Sequence, residues 1–206
     1  MERRLTPQVP LTLAALVLTL VGCSEGQEPE TATAIDPEWY DALDSAVEAG
    51  GGVGPIPKLE RGECPLGTPE IAGEEVGGEA RVGAAAVDGS RRRLVCEWPQ
   101  PETELVVVRF EDPTALESAR EEVAVVGERD LGVSVQTTEE ITVDGHDLVV
   151  RRTVETENAE RTSYYVSFFD DDGLGMATLD VAGPVGELPE GYTSQQAAED
   201  LAALLP

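Results

Sequence analysis

The stretch "LVCEWPQPETELVVVRFEDP" (94–113) decides the fold. Two runs rich in β-branched and aromatic residues, "LVCEW" (94–98) and "ELVVVRF" (104–110), flank "PQPET", a turn with two prolines. Asp112 then stands as a helix N-cap, with Pro113 at the first helical position. The helix it opens runs to about Val126, with Leu116, Ala119, Val123 and Val126 on its inner face, and Gly127 ends it. Strand, turn, strand and helix follow one another in this window, and the order of elements over the rest of the chain extends it to an α+β domain.

Downstream the pattern repeats. "VSVQTTEEITV" (133–143) and "HDLVVRRTVE" (146–155) are joined by Asp144-Gly145, the strongest short-range signal for a hairpin. "TSYYVSFF" (162–169) and "MATLDVA" (176–182) form another hairpin across Asp170-Asp171-Asp172-Gly173-Leu174-Gly175. "TSQQAAEDLAALL" (193–205) is a closing helix capped by Thr193 or Ser194, with Ala198, Leu201 and Leu205 on one face. Upstream, Thr68 and Pro69 predict a short helix carrying Ile71 and Val76, stopped by Gly77-Gly78. Residues 79–93 read as a loop or short strand. The basic run Arg91-Arg92-Arg93 within them reads as a solvated strand end paired with nearby carboxylates. A further helix is predicted over Asp36 to Ala49, with Trp39, Leu43 and Val47 on one stripe and Gly50-Gly51-Gly52 as its stop. Its acidic face weakens it in isolation, so it needs a surface to dock on: its own domain first, a partner protein second. The expected fold is therefore a single α+β domain over 58–206. Its sheet is mainly antiparallel, with helices packed on one face and one disulfide.

The bulk composition narrows the function. The chain has 206 residues and carries 14 basic against 41 acidic side chains, a net charge of −27. Lys58 is the one lysine among the bases. Such a balance repels nucleic acid, whose binding depends on neutralised phosphates, and it repels anionic headgroups. Apolar residues reach 41%, enough for a packed core.

At the front, Arg3 and Arg4 precede an apolar stretch from Val9 to Val21, about 13 residues long. A helix that spans the hydrocarbon core needs ~20. A basic start and a short apolar run that ends in small residues make an export signal. Leu20-Val21-Gly22-Cys23 resembles the lipobox of bacterial lipoproteins. The resemblance implies a diacylglyceryl thioether on Cys23, cleavage before it and acylation of the new amine; an uncleaved membrane anchor is the alternative. Two acyl chains hold a protein at a bilayer where one binds only marginally. Loss of residues 1–22 removes Arg3, Arg4 and Glu2 and makes the mature chain one charge more negative. No basic residue occurs from Ser24 through Pro57, so 23–35 reads as an acidic tether and 36–57 as the amphipathic helix with a glycine-rich linker. With Cys23 lipidated, Cys64 and Cys96 are an even pair in an exported chain and read as a disulfide. Trp98 shares the strand face of Cys96 and is expected beside the bridge.

No catalytic constellation stands out. His146, the only histidine, sits beside the Asp144-Gly145 turn and reads as an exposed turn residue; Asp147 points to the opposite face of the strand. "GVSVQ" (132–136) lacks the second glycine of a nucleophile elbow. Aligning Gly173 with the glycine of a calcium-binding EF loop puts Phe168 and Leu179 at ligand positions, so the aspartate run reads as a polar hairpin loop. No phosphate-cradling loop or zinc signature is present, and no cofactor is expected. Among so many acids, nothing in the sequence singles out two for glycoside cleavage.

Cys64-Pro65-Leu66, "TPEIAGEEVG" and Cys96-Glu97-Trp98, followed by a strand and an Asp-Pro-led helix, resemble small uncharacterised lipoproteins of Gram-positive cell envelopes. The likeness covers 60–206, and Glu63 departs from the Asp-Pro that often precedes the first helix there. It implies an extracytoplasmic domain without known catalysis and supplies no functional residues. The expected function is a lipid-anchored binding or interaction module of the cell envelope, facing the extracytoplasmic side, with a small molecule or a protein as ligand. The alternatives are an envelope hydrolase with unidentified carboxylates and an accessory subunit that docks a partner through the 36–49 helix. A carboxylate of raised pKa in a deep pocket favours the hydrolase. An apolar cavity or groove favours binding, and an undocked Trp39 helix favours the accessory role.

Overall fold

A ten-stranded sheet organises the chain, and its central strands are covered on both faces. The computed structural model describes residues 34–50, 52–54, 57–87, 89–125, 127–155, 161–184 and 187–206. The expected signal segment, Cys23 and the expected tether up to residue 33 lie outside the described residues. The chain begins with α1 (Pro37–Glu48) and the short strands β1 (Gly52–Val53), β2 (Glu60–Arg61), β3 (Glu70–Ile71) and β4 (Glu74–Glu75). Three longer strands follow, β5 (Arg81–Val87), β6 (Arg91–Pro99) and β7 (Glu102–Phe110), then α2 (Pro113–Val123). The second half holds β8 (Gly127–Asp130), β9 (Ser134–Val143), β10 (His146–Glu155), β11 (Arg161–Asp170), β12 (Gly175–Pro184) and α3 (Ser194–Ala202).

The strand order is β1-β5-β6-β7-β12-β11-β10-β9-β8, with β2 also paired to β5. Every pairing in this sheet is antiparallel except that of β1 with β5. The hairpin at Asp144-Gly145 forms as its sequence predicts, with both residues at positive φ (50° and 89°). The strands either side of "PQPET" pair through a turn that contains a cis Gln100–Pro101 bond.

The helices do not share one face. Leu94, Cys96, Leu105, Val107, Leu148 and Leu179 point to the side where α1 and α3 contribute Trp39, Leu43 and Leu201. Val95, Val106, Val108 and Phe110 point to the other side, where α2 contributes Leu116. The expectation of helices on one face is thus corrected to α1 and α3 on one side and α2 on the other. The physical reason is in the opening stretch. Leu105, Val106, Val107 and Val108 are all buried, and a strand apolar at consecutive positions must be covered on both faces.

Two further expectations are corrected. Residues 68–78 form no helix; β3 and β4 pair as a small hairpin about Ala72-Gly73, both at positive φ (52° and 82°). Glycine in the middle of a helix is costly, whereas in a two-residue turn it suits the backbone. Asp200 of α3 accepts the Ala72 N–H at 3.1 Å and ties that turn to the core. Residues 79–93, expected as a loop or short strand, hold the strand β5 of seven residues and the start of β6.

The Trp39 stripe is covered by the chain's own sheet: α1 packs on β5, β6 and β7, and Leu43 is fully buried. Asp36 caps α1 through the Glu38 N–H at 2.8 Å. Among the described residues no helix is long and apolar enough to cross a membrane.

Candidate functional site

Cys64 and Cys96 form a disulfide, with Cα atoms 5.8 Å apart, inside the core cluster that also holds Trp98. Cys23 falls outside the described residues. His146 is not the exposed turn residue that its position suggests. It is 3% exposed on the α1/α3 face and meets Phe168 edge-on at 5.2 Å between ring centroids. The tight two-residue turn points the first residue of β10 inward, where an aromatic from β11 covers it. Asp147 lies on the opposite face and accepts from Thr142 Oγ1 at 2.7 Å. In the basic run, Arg92 pairs with Asp44 at 2.7 Å and Arg93 with Glu104 at 3.8 Å. Asp170 is buried and serves the backbone, and Asp171 pairs with Arg120 at 2.6 Å. Among the described residues no group of three or more His, Cys, Asp or Glu is placed to hold a metal ion.

A different set of residues comes together on the α2 face. The register puts Arg81 opposite Glu97, Glu97 opposite Glu104, and Glu104 opposite Asp180. The row continues through Tyr165 and Arg151. Three carboxylates thus stand side by side on β6, β7 and β12, an arrangement that costs stability because like charges face each other directly. They line a cleft of about 640 Å³ together with Arg61, Arg81, Glu79 and Glu102.

Electrostatics single out Asp180. Burial, then the charges of Glu104 and Glu102, push its carboxyl up to about 6, against the pull of Arg161. Its Oδ1 is buried and accepts no hydrogen bond. Burial also raises Glu104, and Glu97 adds to this while Arg93 opposes it. A cleft that holds a reluctant carboxylate beside a second one has two uses: to receive a cationic group or to move a proton.

The cleft sits far from the first residues of the chain that the structure describes. The Ile35 N–H donates to Asp170 Oδ2 at the β11–β12 turn, whereas Asp180 lies further along β12, roughly 17 Å away at strand rise. Half of this row was legible: a two-residue turn at Gln100-Pro101 places Glu97 opposite Glu104. Asp180 was not, because its pairing with β7 joins strands distant in sequence. No protein-family model, curated protein or solved structure matches this chain.

Proposed function

We propose that this chain is a lipid-anchored binding module at the outer face of the cytoplasmic membrane, held by Cys23, and that its ligand presents a cationic group to the α2-face cleft. The observation that carries the reading is the row Glu97–Glu104–Asp180. An ammonium or guanidinium placed there offsets the repulsion between the carboxylates and satisfies the buried Asp180 Oδ1. The lipobox resemblance and the acidic stretch after Cys23 support the address. Cadaverine and a lysine-containing tripeptide, titrated against the full-length protein, are expected to bind at pH 7.5. Binding should weaken at least tenfold at pH 5, where Asp180 takes up a proton, and fall similarly in Glu104→Gln. Equal binding by the variant and the wild type at both pH values would sink the proposal.

The anchor has its own test. Cys23→Ala is expected to leave the precursor uncleaved and unlipidated, so that membrane extracts lose the mature lipidated form seen for the wild type. Identical processing and detergent partitioning in both would overturn the lipid reading.

A second reading rests on Asp180 itself. A carboxyl raised to about 6 opposite a second carboxyl has the make-up of an acid and base pair for glycoside cleavage. That reading requires turnover of a glycan substrate that both Asp180→Asn and Glu104→Gln abolish; ligand binding without turnover favours the first.

A further inference from the structure

Next to the acidic cleft, and sharing Glu104 with it, a second cavity of about 300 Å³ lies between α2 and the sheet. Its charge is opposite in sense. The cleft is lined by two arginines against five carboxylates, the cavity by Arg91, Arg93 and Arg151 against Glu104 and Glu122. In a chain of net charge −27, a space where arginines outnumber acids is a departure that needs a cause. Its walls are apolar, from Val106 and Val108 on β7, Val123 on α2 and Met176 on β12. Its polar lining comes from both sides, with Arg93, Glu104, Arg151, Tyr165 and Thr178 on the sheet and Glu122 on α2. Tyr165 is partly buried there, with the hydroxyls of Thr178 and Ser167 beside its phenol. Arg151 stacks over the Tyr165 ring at 5.7 Å and donates through Nη2 to the Glu122 and Val123 carbonyls at 3.3 Å, which fixes the guanidinium in place. Its Nε is buried and makes no hydrogen bond. A lining that sets apolar side chains beside charged and hydroxyl groups suits a small molecule with an apolar body and a polar head.

We propose that this interlayer cavity binds a small amphiphilic carboxylate, with the anionic head at Arg151 and the apolar body between Val106, Val108, Val123 and Met176. The guanidinium plane matches a carboxylate, and the neighbouring hydroxyls complete its hydrogen bonding. The volume corresponds to about ten waters, which sets the ligand at roughly ten non-hydrogen atoms. Binding here does not depend on a cation in the cleft, so either proposal can fail alone.

The chain provides its own reporter. It has two methionines, Met1 in the signal segment and Met176 in the cavity wall, so methionine methyl labelling gives one resonance from the site. Octanoate added to the full-length protein is expected to shift the Met176 methyl signal saturably. Octanol should bind at least tenfold more weakly, and octylammonium should leave the signal unmoved. Arg151→Met should cost octanoate at least tenfold in affinity and leave octanol unchanged. Because Arg151 also caps α2, the comparison of the three probes on the wild type is decisive without the variant. No shift with octanoate overturns the proposal, as does equal binding of octanoate and octanol or a preference for octylammonium.

Discussion

Asp180 holds a carboxylate where its surroundings favour the neutral form, and this has a measurable consequence. Its ordinary value of 3.8 in the unfolded chain becomes about 6 in the fold, so between those values the folded state binds the extra proton. The stability linked to this group is fully present below about pH 4 and lost as pH rises through about 6. Asp180→Asn removes the penalty. The variant is expected to be more stable than the wild type by about 2–3 kcal/mol at pH 7.5, with the gap closing by pH 4. Urea denaturation at the two pH values checks this, and a gap independent of pH would show that ionisation is not the cause. The residue types of the row are plain in the sequence, but their value as a set is not. Glu97, Glu104 and Asp180 are three acids among 41 until the strands that carry them are paired.

At the scale of elements, α1 is clasped from both ends. Asp170 accepts from the Ile35 N–H at 3.1 Å and the Tyr40 hydroxyl at 2.8 Å through one oxygen, and from the Gly173 N–H at 2.8 Å through the other. Farther along the helix, Asp44 receives Arg92 at 2.7 Å and Arg109 at 2.9 Å. Tyr40 fits because Gly173 and Gly175 carry no side chain: a Cβ at Gly175 would run into the Tyr40 hydroxyl and ring. Asp170→Ala leaves three donors short of an acceptor, and the expected loss is about 3–5 kcal/mol. Tyr40→Phe, which removes one hydrogen bond, should cost about 1 kcal/mol. Gly175→Ala should lower the hydrogen-exchange protection of the α1 amides before that of the central strands. If exchange rises equally everywhere, the clasp is not a local device. Element types were largely legible, since caps and turn residues act locally: Asp36-Pro37, Asp112-Pro113 and Asp144-Gly145 each start or join what their chemistry requires. Segment 68–78 begins like a helix with Thr68-Pro69, but Ala72-Gly73 and the reach of Asp200 from α3 make it a hairpin.

At the scale of the whole molecule, the disulfide ties the segment before β3 to the centre of β6, closing 32 residues of chain. Loop-closure entropy assigns it about 3–4 kcal/mol. Cys64→Ser with Cys96→Ser is expected to lower the denaturation midpoint accordingly, and a reducing agent should bring the wild type to the same value while leaving the double variant unmoved. The sequence by itself determined whatever depends on neighbours along the chain: the short apolar start, the lone acidic stretch after Cys23, the hairpins, the helix caps and the even cysteine pair. Only the tertiary structure decided how the hairpins of the second half joined each other and β7, which face each helix took, and where unlike pieces met. The pairing of β12 with β7 brings the end of the chain back against its middle, and no local preference encodes it. The consequences of these choices are the burial of His146, the two covered faces over the Val106–Val108 run, and Asp180 set opposite Glu104. These follow from cooperative burial across strands far apart in sequence, which is why "LVCEWPQPETELVVVRFEDP" announced strands and a helix but not the site they frame.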